Sequence, residues 1–352
     1  MPPLFAAPVL APGVLPALTK SACHLSRGRA TGGVLSLLLP RTISFGMPFK
    51  SGYVAIVGRP NAGKSTLVNK LVGSKVAIVS PKPQTTRNRI QGIVNRDEAQ
   101  IVLVDTPGIH RPENVLSRQM MDELLHALEG VELLSLIVDA SSTDFGPGDR
   151  FSIEWVQRFH GPVFLLLNKV DCVNKPLLLP LIDRYRQAYE FAEIFPISAL
   201  TGDGCDDLAN AWIARLPEAP PLFPPDQFTD QPERFLVAEL IREQAILATR
   251  EEVPHALAVL VDTFEEKREL IKIRATLYVE REGQKGILIG RGGDMMKKIG
   301  TAARKEIEIL LGAHVFLELS VKVQPNWRQN SALVRQLDWR RQLEQLAGEQ
   351  NS

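Results

Sequence analysis

The chain has 352 residues, of which 45% are hydrophobic, so it is long enough for two or three domains and membrane embedding is not its default. Because the formal net charge is +1, a surface for nucleic acid must come from local clusters of Lys and Arg rather than from bulk basicity. Three scattered cysteines, Cys23, Cys172 and Cys205, have neither C-x-x-C spacing nor His neighbours at the spacing of metal ligands, which predicts reduced thiols, a cytosol-like compartment and no zinc.

Residues 1–46 differ from the rest because they contain Lys20, Arg27, Arg29 and Arg41 but no acidic residue. The apolar stretch GGVLSLLLP is shorter than the roughly 20 residues that a bilayer-spanning helix needs. Three interpretations stay open: a misassigned start, with Met47 as the true first residue, an organelle transit peptide, or a disordered tail. None of them gives this segment a fold.

From Tyr53 to about Leu216, short Val/Ile/Leu runs alternate with longer helical patterns. The predicted strands are YVAIV, QIVLVDTPG, LLSLIVDAS, PVFLLLNKVD and IFPISAL, and the predicted helices are KSTLVNKL, SRQMMDELLHALEG, DRFSIEWVQRF and LLPLIDRYRQAYE. RIQGIVNRDEAQIVLVD adds two strand-like runs around a polar turn, which predicts one antiparallel hairpin. The alternation predicts a doubly wound, mostly parallel α/β sheet whose ligands bind at the carboxyl ends of the strands.

The first strand leads into GRPNAGKS, residues 58–65, which has the P-loop spacing G-x-x-x-x-G-K-[ST]. Gly58 and Gly63 let backbone N–H groups turn inward around an anion, and the helix that follows favours a polyphosphate. Lys64 is predicted to reach the β- and γ-phosphates, and the Ser65 hydroxyl to bind Mg²⁺. The predicted phosphate cradle comprises Gly58, Arg59, Pro60, Asn61, Ala62, Gly63, Lys64, Ser65 and Thr66.

A second phosphate motif, VDTPGI, ends the next long apolar strand. Asp105 is predicted to hold Mg²⁺ through water, and Gly108 to place a backbone N–H where a γ-phosphate would lie. The stretch assigned to the nucleotide comprises Asp105, Thr106, Pro107, Gly108 and Ile109. In the preceding SPKPQTTRNR, Thr86, with Thr85 as the near rival, is the hydroxyl expected to join Mg²⁺ only when the γ-phosphate is present. A plain exposed loop is the alternative for that segment.

NKVD, which ends a further strand, indicates which base is bound. Asp171 can accept from N1–H and the exocyclic amine of guanine, a donor pair that adenine lacks. Asn168 is expected to read the other edge, the Lys169 stem to pack along the base, and the Ala199 N–H to reach the guanine oxygen. The predicted base site comprises Asn168, Lys169, Val170, Asp171, Ser198 and Ala199, and the predicted ligands are GTP or GDP with Mg²⁺.

The sequence lacks one catalytic residue that many GTPases have, because Ile109 occupies the position of the glutamine that orients the attacking water. Hydrolysis should therefore be slow without an activator. One hypothesis is that Asn61 helps to bind a monovalent cation, K⁺, in place of an arginine finger, and the alternative of equal weight is that Asn61 only shapes the turn. The predicted catalytic set is Asn61, Lys64, Thr86 and Gly108, and the predicted metal ligands are Ser65, Thr86 and Asp105.

Six prolines between Leu216 and Glu233 predict an extended linker over residues 217–233. Beyond it, helical and strand patterns follow in the order α-β-β-α-α-β over residues 234–325, which predicts a smaller α+β domain. Residues 326–352 form a carboxy-terminal tail. Phe316 and Trp327 are expected to pack against the domain rather than to stack on bases.

The glycine-rich turn IGRGG lies between two predicted helices of this second domain, and basic residues follow it. Such a G-x-x-G turn lets a nucleic-acid backbone approach closely, and a helix N-terminus favours phosphate. A solvated helix face after a capping glycine is the alternative for the turn by itself. The predicted RNA-binding residues are Gly290, Arg291, Gly292, Gly293, Lys297, Lys298 and Arg304.

Together these motifs resemble the Era family of bacterial ribosome-assembly GTPases, over about residues 49–343. The resemblance rests on VAIVGRPNAGKSTLVNKLVG, PQTTRNRI, VDTPGIHRP, NKVD, ISAL and IGRGG followed by KKIGTAARKEIE. It implies a P-loop GTPase domain over residues 47–216, followed by a type II KH domain. It further implies GTP hydrolysis coupled to binding of the 3′ end of 16S-type ribosomal RNA during 30S maturation, with nucleotide state gating RNA binding.

The resemblance also implies a monomeric cytoplasmic protein with peripheral contact to the inner membrane. Three other functions stay open at this point. The basic helix could meet anionic lipid in a membrane-surface signalling GTPase, although its apolar face is needed for the domain core. The amino-terminal extension also leaves room for a mitochondrial homologue acting on the mitoribosome. RNA chaperoning without turnover is a third class that would fit Ile109.

Overall fold

The computed structural model describes residues 48–80, 82, 85–142, 145–250, 253–267 and 270–338. The predictions for residues 1–46, Cys23 and the Met47 start lie outside these residues, as do Pro83 and Gln84 of PQTTRNRI and the tail from residue 339. The predicted domain boundaries stay predictions.

A six-stranded sheet forms the amino-terminal part, with strand order β2-β3-β1-β4-β5-β6. The strands are β1 Lys50–Val57, β2 Ile90–Arg96, β3 Ala99–Asp105, β4 Leu133–Asp139, β5 Val163–Asn168 and β6 Glu193–Pro196. Every neighbouring pair is parallel except β2 and β3. The predicted doubly wound sheet with one antiparallel hairpin is therefore confirmed.

Helices cover both faces of this sheet and bury an apolar cluster on each. They are α1 Lys64–Val72, α2 Val115–Leu128, α3 Pro147–Val156, α4 Leu178–Ala188 and α5 Cys205–Arg215. Helix α5 was not predicted from the sequence, because its apolar face is short and begins with a cysteine. Its anchor is Trp212, which is fully buried and donates its indole N–H to Ser135 Oγ at 3.0 Å.

Within the described part of the chain, the proline-rich segment contains no named helix or strand, and it is hydrogen-bonded to the sheet rather than free. The Ser51 N–H donates to the Pro217 carbonyl at 3.2 Å. Further along, the Gln100 side-chain oxygen accepts from the N–H groups of Leu222 and Phe223 at 2.7 and 2.9 Å. These bonds pair backbone groups of a segment that has no regular strand partner. The segment therefore follows a defined path along the sheet.

The carboxy-terminal part has a three-stranded sheet in the order β7-β8-β9, with β7 and β8 antiparallel and β8 and β9 parallel. Its elements are α6 Glu233–Ala248, α7 Val253–Ala256, β7 Ala258–Lys267, β8 Leu270–Val279, α8 Glu282–Ile289, α9 Asp294–Leu311, β9 His314–Val323 and α10 Ser331–Gln336. The predicted α-β-β-α-α-β order is confirmed, and the short helices α7 and α10 are additions to it.

The two aromatic residues singled out in this domain behave differently. Trp327 is fully buried and donates its indole N–H to the Ala256 carbonyl at 2.7 Å, which confirms its packing role. The same prediction for Phe316 is wrong, because its side chain is 51% exposed. Side chains alternate along β9, so buried Val315 faces the helices and Phe316 points the other way.

Candidate functional site

The loop between β1 and α1 requires glycine at two places. Gly58 and Gly63 have φ angles of +154° and +101°. A Cβ at Gly58 would lie 2.2 Å from the Ile137 carbonyl oxygen, and a Cβ at Gly63 would lie 2.1 Å from Asn168 Nδ2. Both distances are far inside van der Waals contact, so the loop conformation depends on the missing side chains.

Lys64 begins α1 and is 6% exposed. Its ammonium donates to the carbonyl oxygens of Gly58 and Arg59 at 3.1 and 3.0 Å. Burial is the main influence and lowers the pKa of Lys64 to about 8, although the Asp105 charge opposes it. A polyphosphate beside this ammonium would favour its charged form, so the geometry fits the predicted phosphate ligand.

The three predicted Mg²⁺ ligands lie together at the end of β3. Ser65 Oγ is 2.7 Å from Asp105 Oδ2 and 2.9 Å from Thr86 Oγ1, and Thr86 Oγ1 is 3.1 Å from the same carboxylate oxygen. Burial raises the pKa of Asp105, and its Oδ1 is buried without a hydrogen-bond partner among the described residues. A carboxylate and two hydroxyls are the oxygen donors that Mg²⁺ prefers, so these residues fit the ion.

The DTPG turn packs directly on the P-loop. The Ile109 N–H donates to the Gly58 carbonyl at 3.0 Å, and a Cβ at Gly108 would lie 2.8 Å from the Pro60 ring. The buried Thr106 hydroxyl donates to the Ile56 carbonyl at 2.8 Å. The Ile109 side chain is 3% exposed and belongs to an apolar cluster of the core. Its assignment to the nucleotide therefore needs correction, because its backbone braces the P-loop and its side chain faces inward.

An open cavity of about 380 Å³ joins these parts. It is lined by Pro60, Asn61, Gly63, Lys64, Ser65, Thr66, Ile78, Val79, Ser80, Thr85, Thr86, Gly108 and Lys169. Ile78, Val79 and Ser80 carry no motif signal and were missed. Arg59 is absent from this lining, and its guanidinium forms an ion pair with Asp149 at 3.0 Å, so only its backbone is placed to take part in the predicted cradle.

Asn61 has a φ of +63°, a left-handed conformation that Asn tolerates better than most residues. This agrees with the interpretation that Asn61 shapes the turn. It leaves the cation hypothesis untested.

Asn168 joins the P-loop to the ISAL loop. Its Nδ2 donates to the Ala62 carbonyl at 2.8 Å, and its Oδ1 accepts from the Ala199 N–H at 2.9 Å. The side chain is 2% exposed, so it acts as a brace inside the site. The expectation that the Ala199 N–H points to the guanine oxygen is corrected accordingly, because this N–H is already committed to Asn168.

The carboxylate predicted to select guanine lies at the surface. Asp171 is exposed, and hydrogen bonds from Ser198 and then Cys172 lower its pKa, so it is ionised and can accept from a base. Lys169 has a φ of +68° and its ammonium lies 2.5 Å from Asp139 Oδ2. Between the two, the Val170 N–H donates to the Ile197 carbonyl at 3.2 Å, which fixes the NKVD turn on the ISAL loop.

The G-x-x-G turn joins α8 to α9 through three glycines with positive φ. Gly290, Gly292 and Gly293 have φ angles of +72°, +62° and +88°. A Cβ at Gly290 would lie 2.7 Å from Met295 Cβ, so the turn could not close with a larger residue there. Arg291 is exposed at its tip.

A groove of about 620 Å³ runs from this turn between α9 and β9. Its floor is apolar and includes Leu317 and Leu319, while its α9 wall includes Lys297 and Arg304. Lys298 is exposed next to Lys297, and buried Ile299 holds the other side of α9 on the core. Of the predicted RNA-binding residues, Gly293, Lys297 and Arg304 therefore line this groove, and Lys298 is exposed next to it.

The comparisons with known proteins agree with both parts of the chain. The family model described as "50S ribosome-binding GTPase" matches residues 53–169, and the KH domain model matches residues 252–328. A crystal structure of Era in complex with MgGDPNP and nucleotides 1506–1542 of 16S ribosomal RNA has 42% sequence identity, with a TM-score of 0.79, and covers 83% of this chain and 99% of that chain.

A crystal structure of an alanine variant of Aquifex aeolicus Era bound to GDP·AlF4⁻ matches with the same identity, coverage and TM-score. The chain belongs to the Era family. This confirms the family resemblance and the fold class of a P-loop GTPase domain followed by a KH domain.

In this Era-family chain, the segment that precedes Thr86 contacts both parts of the protein. Val79 and Thr85 line the nucleotide cavity. The Val79 N–H donates to Glu243 Oε1 on α6 at 2.9 Å, and the Thr85 carbonyl accepts from the guanidinium of Arg242 on the same helix. No motif predicts this contact, because the partners are more than 150 residues apart in the chain.

Proposed function

We propose that this Era-family protein hydrolyses GTP to GDP and phosphate, binds the 3′ end of small-subunit ribosomal RNA and assists 30S maturation, with nucleotide state controlling RNA binding. The observation that carries the proposal is that Val79 and Thr85, which line the nucleotide cavity, are both hydrogen-bonded to α6 of the KH part. The RNA assignment is supported by the related Era complex with 16S ribosomal RNA and by the basic groove beside the G-x-x-G turn.

A short series of contacts connects the predicted γ-phosphate position to α9, the helix proposed to bind RNA. Glu243 is 2% exposed and binds Lys75 Nζ at 2.5 Å as well as the Val79 N–H. Lys75 also lies 3.1 Å from Glu306, which is on α9, the helix that carries the basic residues of the groove. Because α6 packs on α9, movement of residues 79–86 would shift the helix that faces RNA.

The residue after Thr86 reaches the KH part from the same segment. Arg87 is 7% exposed, donates to the Leu257 carbonyl at 2.7 Å, and places its guanidinium 5.5 Å from the centre of the Trp327 ring. Burial, the largest effect, lowers its pKa to about 9. A hydroxyl that joins Mg²⁺ only in the GTP state is thus next in sequence to a side chain anchored in the other domain.

The test is the affinity for an RNA oligonucleotide of the 16S 3′ end, measured with a non-hydrolysable GTP analogue and with GDP. Allosteric couplings are typically about 5- to 150-fold, and we expect the wild-type ratio to fall in that range. Glu243→Gln removes the charge that holds Lys75, so the ratio should move toward one while GTP affinity is kept. Glu233→Gln makes the same charge change at an exposed position of α6 and should leave the ratio unchanged.

Equal RNA affinity in both nucleotide states of the wild type would contradict nucleotide control, and failure to bind the oligonucleotide in either state would contradict the RNA assignment. A Glu243→Gln ratio equal to wild type would exclude the path through α6.

We extend the proposal to a monovalent cation, with Asn61 as one of its ligands. Gly adopts the left-handed conformation of residue 61 without strain, so Asn61→Gly keeps the turn and removes the side-chain oxygen. Hydrolysis by the wild type should be faster in K⁺ than in Na⁺, and Asn61→Gly should abolish that difference while GDP affinity stays the same. Equal wild-type rates in the two salts would remove the cation from the mechanism.

We propose a monomer that acts in the cytoplasm on the small subunit. A membrane-surface role is less favoured, because Ile299, Ala303 and Ile307 of α9 are buried in the domain core and do not face outward. Among the described residues, no helix has the length and apolar character needed to cross a bilayer.

A further inference from the structure

A buried carboxylate on α3 holds the P-loop from the side that faces away from the nucleotide. Asp149 is 5% exposed and receives three hydrogen bonds, each of 3.0 Å. Its Oδ2 accepts from the Arg59 guanidinium and from the Gly146 N–H, and its Oδ1 accepts from the Tyr185 hydroxyl. No P-loop motif includes this residue, which follows Arg59 by 90 positions.

A single residue, Arg59, connects Asp149 to Lys64, the predicted phosphate-binding lysine. Arg59 is held by its side chain on Asp149, and its own carbonyl accepts from the Lys64 ammonium at 3.0 Å. Lys64 is buried, so the position of its ammonium depends on the carbonyls that receive it. The neighbouring Gly58 carbonyl accepts from Lys64 and also from Ile109 in the DTPG turn.

The surroundings of Arg59 are built for this contact. A Cβ at Gly148, in the first turn of α3, would lie 2.8 Å from Arg59 Nε, so a larger residue there would push the guanidinium out of its present position. Tyr185, the third partner, packs edge-on against Phe145 at 5.1 Å between ring centres. Asp149 and its partner Tyr185 are therefore fixed by packing, while the Arg59 side chain, 47% exposed, is held by its ion pair with Asp149.

We propose that Asp149 is a positioning residue for the phosphate cradle: through Arg59 it orients the backbone that directs Lys64 toward the β-phosphate. The inference rests on the proposed guanine-nucleotide function and adds to it a residue outside every nucleotide motif. It acts on the diphosphate part of the ligand rather than on the base, because the polar partners found for Asp149 and Arg59 lie in α3, α4 and the P-loop.

The test is a double-mutant cycle on nucleotide affinity, with the dissociation constants of fluorescent GDP and, by competition, of GMP as readouts. Asp149→Asn removes the charge of the ion pair and leaves one acceptor oxygen, which can stay on Gly146 while the new amide N–H donates to the Tyr185 oxygen. Arg59→Gln removes the pair and leaves the α3 cap intact. Each change should weaken GDP binding about 5- to 10-fold, a loss of the order expected for a part-buried charge-assisted hydrogen bond. The double variant should lose no more than either single variant, and GMP, which lacks a β-phosphate, should be affected less than GDP.

A matched control comes from another Arg–Asp ion pair of the same length. Arg96 and Asp206 are also 3.0 Å apart but lie away from the P-loop, so Arg96→Gln and Asp206→Asn should leave GDP affinity unchanged. Additive losses in the double variant, equal losses for GDP and GMP, or wild-type GDP affinity in both single variants would overturn the positioning role. Absence of GDP binding by the wild type would instead contradict the proposed function itself.

Discussion

Asp171→Asn should change the bound base from guanine to xanthine. An ionised Asp171 can accept from both N1–H and the exocyclic amine of guanine, whereas an amide offers one donor and one acceptor, which fits N1–H and the 2-oxo group of xanthine. A mismatched donor pair costs several kcal/mol in a site built to bind it, so GDP affinity should fall roughly 100- to 1000-fold and XDP affinity should rise correspondingly. The measurement is binding of fluorescent GDP and XDP to both proteins.

Folding should not confound this result, because Asp171 is exposed and its replacement by Asn keeps an oxygen that can accept from the buried Ser198 hydroxyl. Asp203→Asn is the control, since it removes an exposed negative charge close to the ISAL loop without touching the NKVD turn. Retention of guanine preference by Asp171→Asn would mean that another group selects the base. Loss of all nucleotide binding, XDP included, would mean that the carboxylate supports the loop rather than reads the base.

The nucleotide motifs were predictable because their physics is local. A strand, a glycine turn and a helix within 20 residues fix where the P-loop lies, and the Mg²⁺ ligands Ser65 and Asp105 meet because β1 and β3 are adjacent parallel strands. The order of elements in the KH part follows from the same local periodicity. Local patterns also explain the successful hairpin of β2 and β3.

What the sequence could not predict depends on contacts between distant residues. Glu243 binds Val79 across 164 positions, and Asp149 binds Arg59 across 90, and neither partner carries a pattern that names the other. The errors have the same origin. Ala199 and Ile109 were assigned to the ligand by their place in a motif, but tertiary packing commits the Ala199 N–H to Asn168 and the Ile109 side chain to the core.

Substitutions in the nucleotide motifs and substitutions on α6 should affect function differently. The residues predicted to bind nucleotide lie in short motifs, while the residues proposed to transmit its state, Glu243 and Arg242, lie on α6. Substitutions in a motif should therefore alter binding itself. Substitutions on α6 should alter only how RNA affinity depends on the nucleotide.

The second large effect concerns Gly63→Ala, which should abolish phosphate binding. A Cβ at residue 63 would lie 2.1 Å from Asn168 Nδ2, and that amide is buried and bonded to Ala62 and Ala199, so it cannot move without breaking the brace between two loops. The left-handed φ of +101° adds strain of about 1–2 kcal/mol for any residue with a Cβ. Loss of the Asn168 hydrogen bonds to Ala62 and Ala199 adds about 1–3 kcal/mol to this strain. The affinity for GDP should therefore fall roughly 30- to 1000-fold or more.

Gly73→Ala separates strain from the clash. Gly73 ends α1 with a φ of +75°, but a Cβ there would have no neighbour within 4 Å. This variant should lower the unfolding free energy by about 1–2 kcal/mol and keep GDP affinity, both measured below the melting temperature. If Gly63→Ala instead bound GDP as well as Gly73→Ala does, Asn168 would be free to move, and the tight contact between the P-loop and the NKVD strand would not be what shapes the cradle.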